Sequence, residues 1–132
     1  MAGRLEEEVR RRAGDRCEYC HVPDSTAKLR HVLDHIIAKQ HGGQTSLENM
    51  ALSCGRCNQS KGPNIAGIDP ESGAVTPLFN PRVQQWPDHF AREDAILIGT
   101  TAIGRVTVAV LSINAPLRVA ARRSLIEEGH LF

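Results

Sequence analysis

The sequence predicts a small α+β fold: a β-β-α unit held by a metal clip, with a helix before it and a mainly helical extension after it. Three observations carry this. Two C-x-x-C pairs, Cys17/Cys20 and Cys54/Cys57, bracket one segment of the chain. Short apolar runs of strand length, "KLRHVLDHI" and "MALS", lie inside that segment. Amphipathic stretches with helix-stop and helix-cap residues stand at both ends. With 132 residues the chain is about one domain's worth, long enough for a modest core that a staple would help to hold.

Leu5, Val9 and Ala13 recur at helical spacing, and Gly14 stands where that first helix would end. After "CEYC" and the polar turn "HVPDSTA", the strand "KLRHVLDHI" finishes near His35. The glycine-marked loop "AKQHGGQTSLEN" leads into the strand "MALS", and "CGRCNQSKGP" reads as a turn, a short helix and a Gly-Pro stop. From Asn64 to Pro87 prolines and glycines recur, which predicts a turn-rich wrap with little regular structure. "AILIGT" is a strand. "TAIGRVTVAVLSI" fits a helix capped by Thr101, although Val106, Val108 and Val110 also alternate like a strand. The last helix has Asn114 as cap, Pro116 in its first turn and Gly129 after its acidic end. Trp86, His89 and Phe90 are expected to pack the extension, residues 63–132, against the core of residues 1–62.

Aromatic residues make up 4% of the chain, and no uncharged apolar run approaches the roughly 20 residues that span a bilayer. A soluble protein without a membrane partner is expected. The charged start "MAGRLEEEVRRR" lacks the apolar segment of a secretory signal, which predicts a cytoplasmic location and reduced cysteines. The formal net charge of +1 leaves a polyanionic partner open, since placement decides. Arginines cluster at Arg10, Arg11, Arg12 and Arg16, and again at Arg118, Arg122 and Arg123; each cluster is read first as a solvated helix face.

Each C-x-x-C can place two thiolates about 4 Å apart on one ion, and two such knuckles close the tetrahedral sphere of Zn²⁺. Cys17, Cys20, Cys54 and Cys57 are therefore candidate ligands of a structural zinc. Buried free thiols and redox dithiols are the alternatives, which the doubled pattern disfavours. A clip of this kind brings the strand ending at Asp34-His35 beside "MALS", with the helix that begins near Asn58 across them. Chemistry is expected in the insert, residues 21–53.

The motifs "CEYC", "DHI", "GG", "LEN" and "CGRCNQSKG" resemble, in order and spacing, those of the HNH endonuclease family, whose core is a ββα-metal unit. The likeness covers residues 17–62, and residues 63–132 look like the extension of a small bacterial subgroup. The resemblance implies that His35 is the general base and that Asp34 ligates a catalytic divalent ion. It implies that Asn49 holds the loop facing the histidine, and that Asn58, where the name-giving pattern has histidine, offers the ion an oxygen. With that donor the expected ion is Mg²⁺ or Mn²⁺ rather than catalytic zinc. Lys61, one helical turn on, is expected to face the scissile phosphate. His31 suits a structural or supporting role at least as well as a ligand's, and His41, before Gly42-Gly43, is a candidate phosphate contact.

These residue types meet the needs of phosphodiester hydrolysis. Imidazole of ordinary basicity is mostly neutral at pH 7 and can take a proton from water, and one hard cation can neutralise charge on the phosphate oxygens. Neighbours in a regular strand point to opposite faces, so Asp34 and His35 share a site only where the strand ends or twists. The expected partner is DNA, bound with weak sequence preference; RNA stays an alternative substrate and a homodimer an open alternative. The rival reading is a zinc-stapled nucleic-acid-binding module without catalysis. The presence of Asp34, His35, Asn49 and Asn58 together favours the enzyme.

Overall fold

The computed structural model describes residues 2–130. Helix α1 (Ala2–Ala13) stops where Gly14 and Asp15 both take φ of 65°. Its apolar stripe buries Val9, with Leu5 and Ala13, against Met50 and Leu52. Part of its arginine cluster reaches inward. Arg12 donates to the carbonyls of Leu47 and Met50 at 2.8 and 2.6 Å, and Arg10 pairs with Asp24 at 3.0 Å.

Strands β1 (Val32–His35) and β2 (Met50–Ser53) form an antiparallel pair in which Asp34 faces Ala51 and His35 faces Met50. β1 begins later than the apolar run suggests but ends at His35 as expected. Helix α2 (Gly55–Lys61) crosses the pair, capped by Cys54, whose sulfur accepts the Cys57 N–H. The β-β-α unit is thus present. The loop between the strands carries two single 3₁₀ turns, Lys39–His41 and Leu47–Asn49.

Beyond residue 63 the structure is richer than expected. The supposed irregular wrap contains a hairpin of β3 (Ala66–Ile68) and β4 (Val75–Pro77), whose strands are too short to show a period. β6 (Ile96–Gly99) has the expected strand, but its partner β5 (Phe90–Glu93) was not anticipated. "FARE" lacks alternation, and the pairing comes from a two-residue turn in which Asp94 takes φ of 54°. Helix α3 (Ala102–Val110) is capped by Thr101, which accepts from Gly104 N at 3.1 Å. Helix α4 (Pro116–Glu127) has Pro116 in its first turn, but its cap is Ala115. Asn114 is occupied elsewhere: it exchanges two hydrogen bonds with Leu97, at 3.0 and 2.7 Å. Among the described residues no helix is long and apolar enough to cross a membrane.

One apolar cluster runs through both parts of the chain, from Tyr19, Ile36 and Ala51 to Leu78, Phe79, Phe90, Leu97, Val106, Leu111 and Ile113. Trp86 joins them. Its indole N–H donates to the Tyr19 carbonyl at 2.9 Å, and its ring stacks on His21 at 4.0 Å and on Phe90 at 5.0 Å. His89 instead bonds Thr101, at 2.7 Å.

His21, incidental in the sequence, is therefore part of the packing. Burial, then the nearby Arg92 and Arg16, lowers its pKa from 6.5 to about 4. Between those values the unfolded chain binds a proton that the folded chain refuses. Stability is then unaffected above pH 6.5 and falls as the pH drops from 6.5 towards 4. His21→Asn tolerates the local φ of 70° and should flatten this component, read as the difference between the two proteins' urea midpoints across the window.

Candidate active site

The clip comes first, because it sets the strand ends. The sulfurs of Cys17, Cys20, Cys54 and Cys57 all lie within 4.8 Å of one another. Cys20 Sγ and Cys54 Sγ are 3.7 Å apart, and a tetrahedron with arms of about 2.3 Å has edges of roughly 3.8 Å. Each knuckle folds back on itself, Cys20 N to Cys17 Sγ and Cys57 N to Cys54 Sγ, both at 3.4 Å. Burial pushes the Cys17 and Cys57 thiols up, so four thiolates need a cation at their centre. The donor set, the spacing and the closed shape suggest structural zinc.

The clip's first knuckle also carries Tyr19, which sequence reasoning missed. It is fully buried, and its hydroxyl donates to Asp34 Oδ2 at 2.8 Å. Burial and the Asp34 charge raise the Tyr19 pKa well above the phenolic range, so the hydroxyl stays a donor. The only earlier signal was a tyrosine between two ligand cysteines.

Asp34, at 3% exposure, is held by two further side chains. Lys61 Nζ lies 3.2 Å from Oδ2 and 3.4 Å from Oδ1, and Asn58 Nδ2 lies 3.3 Å from Oδ1. Lys61 is itself 1% exposed, and its ammonium also donates to the carbonyls of His35 and Ile36, each at 3.1 Å. The expectation that Lys61 faces a phosphate is therefore corrected. Its helical position turns it under the end of β1, where it satisfies backbone carbonyls released as the strand stops. Lys61→Met keeps the stem but leaves a buried carboxylate and two carbonyls short of a donor. A loss of about 3–5 kcal/mol is expected, measured as a lower urea midpoint at unchanged slope.

His35 is half-buried at the strand end, and its Nε2 lies 2.9 Å from Thr45 Oγ1, a residue the sequence did not flag. Asn49 closes the loop behind it. Its Oδ1 accepts from Ile37 N, and its Nδ2 donates to the carbonyls of Ile37 and Gln44, all at 2.9 Å. The double glycine makes this closure possible in two ways. Gly42 takes φ of 90°, and a Cβ on Gly43 would stand 1.7 Å from Ile37 O and 2.9 Å from Asn49 Nδ2.

Asp34, His35 and Asn58 meet along one open cleft of about 280 Å³, lined also by Leu33, Ala38, Lys39, Gly62 and Pro63. The strand-end requirement is met. β1 terminates at His35, so the cleft reaches the buried carboxylate and the half-buried imidazole together. Exposed Lys39 supplies the cleft's cation, the place the sequence reading gave to Lys61. His31 lies elsewhere: it is buried, with Nε2 2.8 Å from Val22 O and Nδ1 3.6 Å from Asp24 Oδ1. His41 is exposed on its 3₁₀ turn and is not among the cleft-lining residues.

Residues 17–64 match the family model for HNH endonuclease. Over these residues the chain is similar to an HNH endonuclease domain. No curated protein and no solved structure matches the chain. The matched segment runs from the first clip cysteine, through both strands, to just past α2, and so contains every residue of the cleft. The mixed helix and sheet content and the four-cysteine cluster agree with an α+β fold of the HNH type.

Proposed function

We propose that the protein is a metal-dependent HNH endonuclease that hydrolyses DNA phosphodiester bonds, with His35 as general base. The observation that carries this reading is the cleft at the end of β1, where Asp34, His35 and Asn58 line one open space of about 280 Å³. The donor set there fits a hard divalent ion. A buried carboxylate and an amide oxygen are oxygen ligands, and Mg²⁺ or Mn²⁺ typically takes one or two protein donors and fills its remaining positions with water and phosphate oxygens. Such an ion, when bound by Asp34 and Asn58, supplies Lewis-acid stabilisation of charge on the phosphate. To hold such an ion Asn58 would present its amide oxygen in place of the nitrogen that now lies 3.3 Å from Asp34 Oδ1.

The contact with Thr45 defines which histidine tautomer works. A neutral imidazole has one N–H and one bare nitrogen. For Nδ1 to accept a proton from water, Nε2 must carry the hydrogen and donate to Thr45 Oγ1. Asn49 keeps Thr45's loop in place for that bond, while Tyr19 and Lys61 position Asp34 from below. Lys39 is the side chain placed to meet a phosphate at the rim. Contacts of this kind track the backbone and carry no base information, which supports weak sequence preference.

The test is nicking of supercoiled plasmid by the purified protein with Mg²⁺, with Mn²⁺ and with chelator. Metal-dependent relaxation of the plasmid supports the nuclease reading. Folded, zinc-loaded protein that binds DNA without cutting it would favour the binding module instead.

A further inference from the structure

Four thiolates around one Zn²⁺ leave two negative charges uncompensated, and burying them requires cations or N–H donors close by. Helix α4 delivers them. Arg118, 8% exposed, places Nη2 2.9 Å from Cys57 Sγ and 3.7 Å from Cys54 Sγ. Its Nη1 donates to the carbonyls of Leu111 and Ser112 at 2.6 and 3.1 Å, closing the end of α3. One turn on, Arg122 is 1% exposed and is fixed by Ala95 O at 2.8 Å and Asn114 Oδ1 at 2.9 Å. Among the described residues neither arginine pairs with a carboxylate. A buried guanidinium with no acidic partner is costly unless another anion is near, and the cysteine sulfurs are the anions at hand. The carboxy-terminal arginine cluster, read from the sequence as a solvated face, is thus turned inward at two of its three positions.

We infer that Arg118 is a positioning residue of the four-cysteine centre, giving the zinc thiolates a counter-charge and an N–H···S bond, so that metal loading and docking of α4 depend on each other. A hydrogen bond from a cation withdraws electron density from Cys57 Sγ and lowers the energy of its lone pairs. Loss of the bond makes the sulfur a stronger donor and a more exposed target for protons and competing ligands. The inference stands independently of whether the cleft cuts DNA.

The experiment uses the full chain loaded with zinc, and in parallel with cobalt(II), comparing wild type with Arg118→Lys and Arg118→Met. Outer partners of metal ligands typically change metal affinity by about 10–100-fold, so Arg118→Met should release zinc to a chromogenic chelator faster by that order. Arg118→Lys keeps the charge and stem but lacks the fork that serves Cys57, Leu111 and Ser112 together, and should fall between. The sulfur-to-cobalt charge-transfer band should move to lower energy in both. A band that stays in place in either folded variant overturns the assignment even where release is faster, because any loosening of the fold speeds release. The lysine variant decides the matter if the methionine variant does not fold.

Discussion

Replacing His35 by alanine is expected to slow plasmid nicking by about 10²–10⁴, the usual cost of one positioned acid-base group. The loss should be selective. His35 is the last residue of β1, it is half-buried, and among the described residues its one side-chain hydrogen-bond partner is the Thr45 hydroxyl, so its removal leaves the apolar cluster and the cysteine clip untouched. Circular dichroism and the thermal midpoint of the variant should match wild type within the scatter of a surface change of about 0.5 kcal/mol. Residual nicking at the wild-type rate by folded His35→Ala would remove the proposed base and with it the mechanism. Nicking lost together with the thermal transition would mean that the residue is structural.

Withdrawing zinc under reducing conditions is expected to abolish the cooperative unfolding transition altogether. Structural zinc contributes about 10–16 kcal/mol of binding free energy, as much as the roughly 5–15 kcal/mol net stability of a typical domain. The apo chain therefore has little left with which to fold. Trp86 is a built-in reporter, since the chain has one tryptophan and its indole N–H bonds the carbonyl of Tyr19, inside the first knuckle. Chelation should shift its fluorescence to the red and flatten the thermal melt, and zinc should restore both. Cys57→Ser should behave like the chelated protein even with zinc present. A chelated protein that keeps its melt and its tryptophan emission would show that the cluster is a set of buried thiols and not a clip.

What was legible in the sequence was chemistry at short spacing. Two C-x-x-C pairs report their geometry within four residues each, and Asp34-His35 beside "GG" and "LEN" declares a site before any strand is placed. The β-β-α order followed from these anchors. What stayed hidden depends on contacts between distant segments. Tyr19 meets Asp34 across 15 positions and Arg118 meets Cys57 across 61, and neither arrangement leaves a periodic trace. Lys61 has the same helical phase whether it turns up to a phosphate or down beneath a strand end, and only packing chooses. The hairpins after residue 63 are three or four residues deep, below the length at which alternation can be told from chance. Asn114 looked like a helix cap because asparagine is a good one, yet a free strand edge at Leu97 offered its amide two bonds instead of one.

Tyr19 connects the cysteine clip to the cleft. Its ends are tied to separate tasks, the backbone lying between ligand cysteines and the hydroxyl resting on the carboxylate of the cleft. Loss of the clip therefore reaches the cleft by a direct route as well as through the fold, because the backbone that carries Tyr19 is released and Asp34 loses a donor with it. Metal loading and the set of the cleft carboxylate are in this way read out by one side chain.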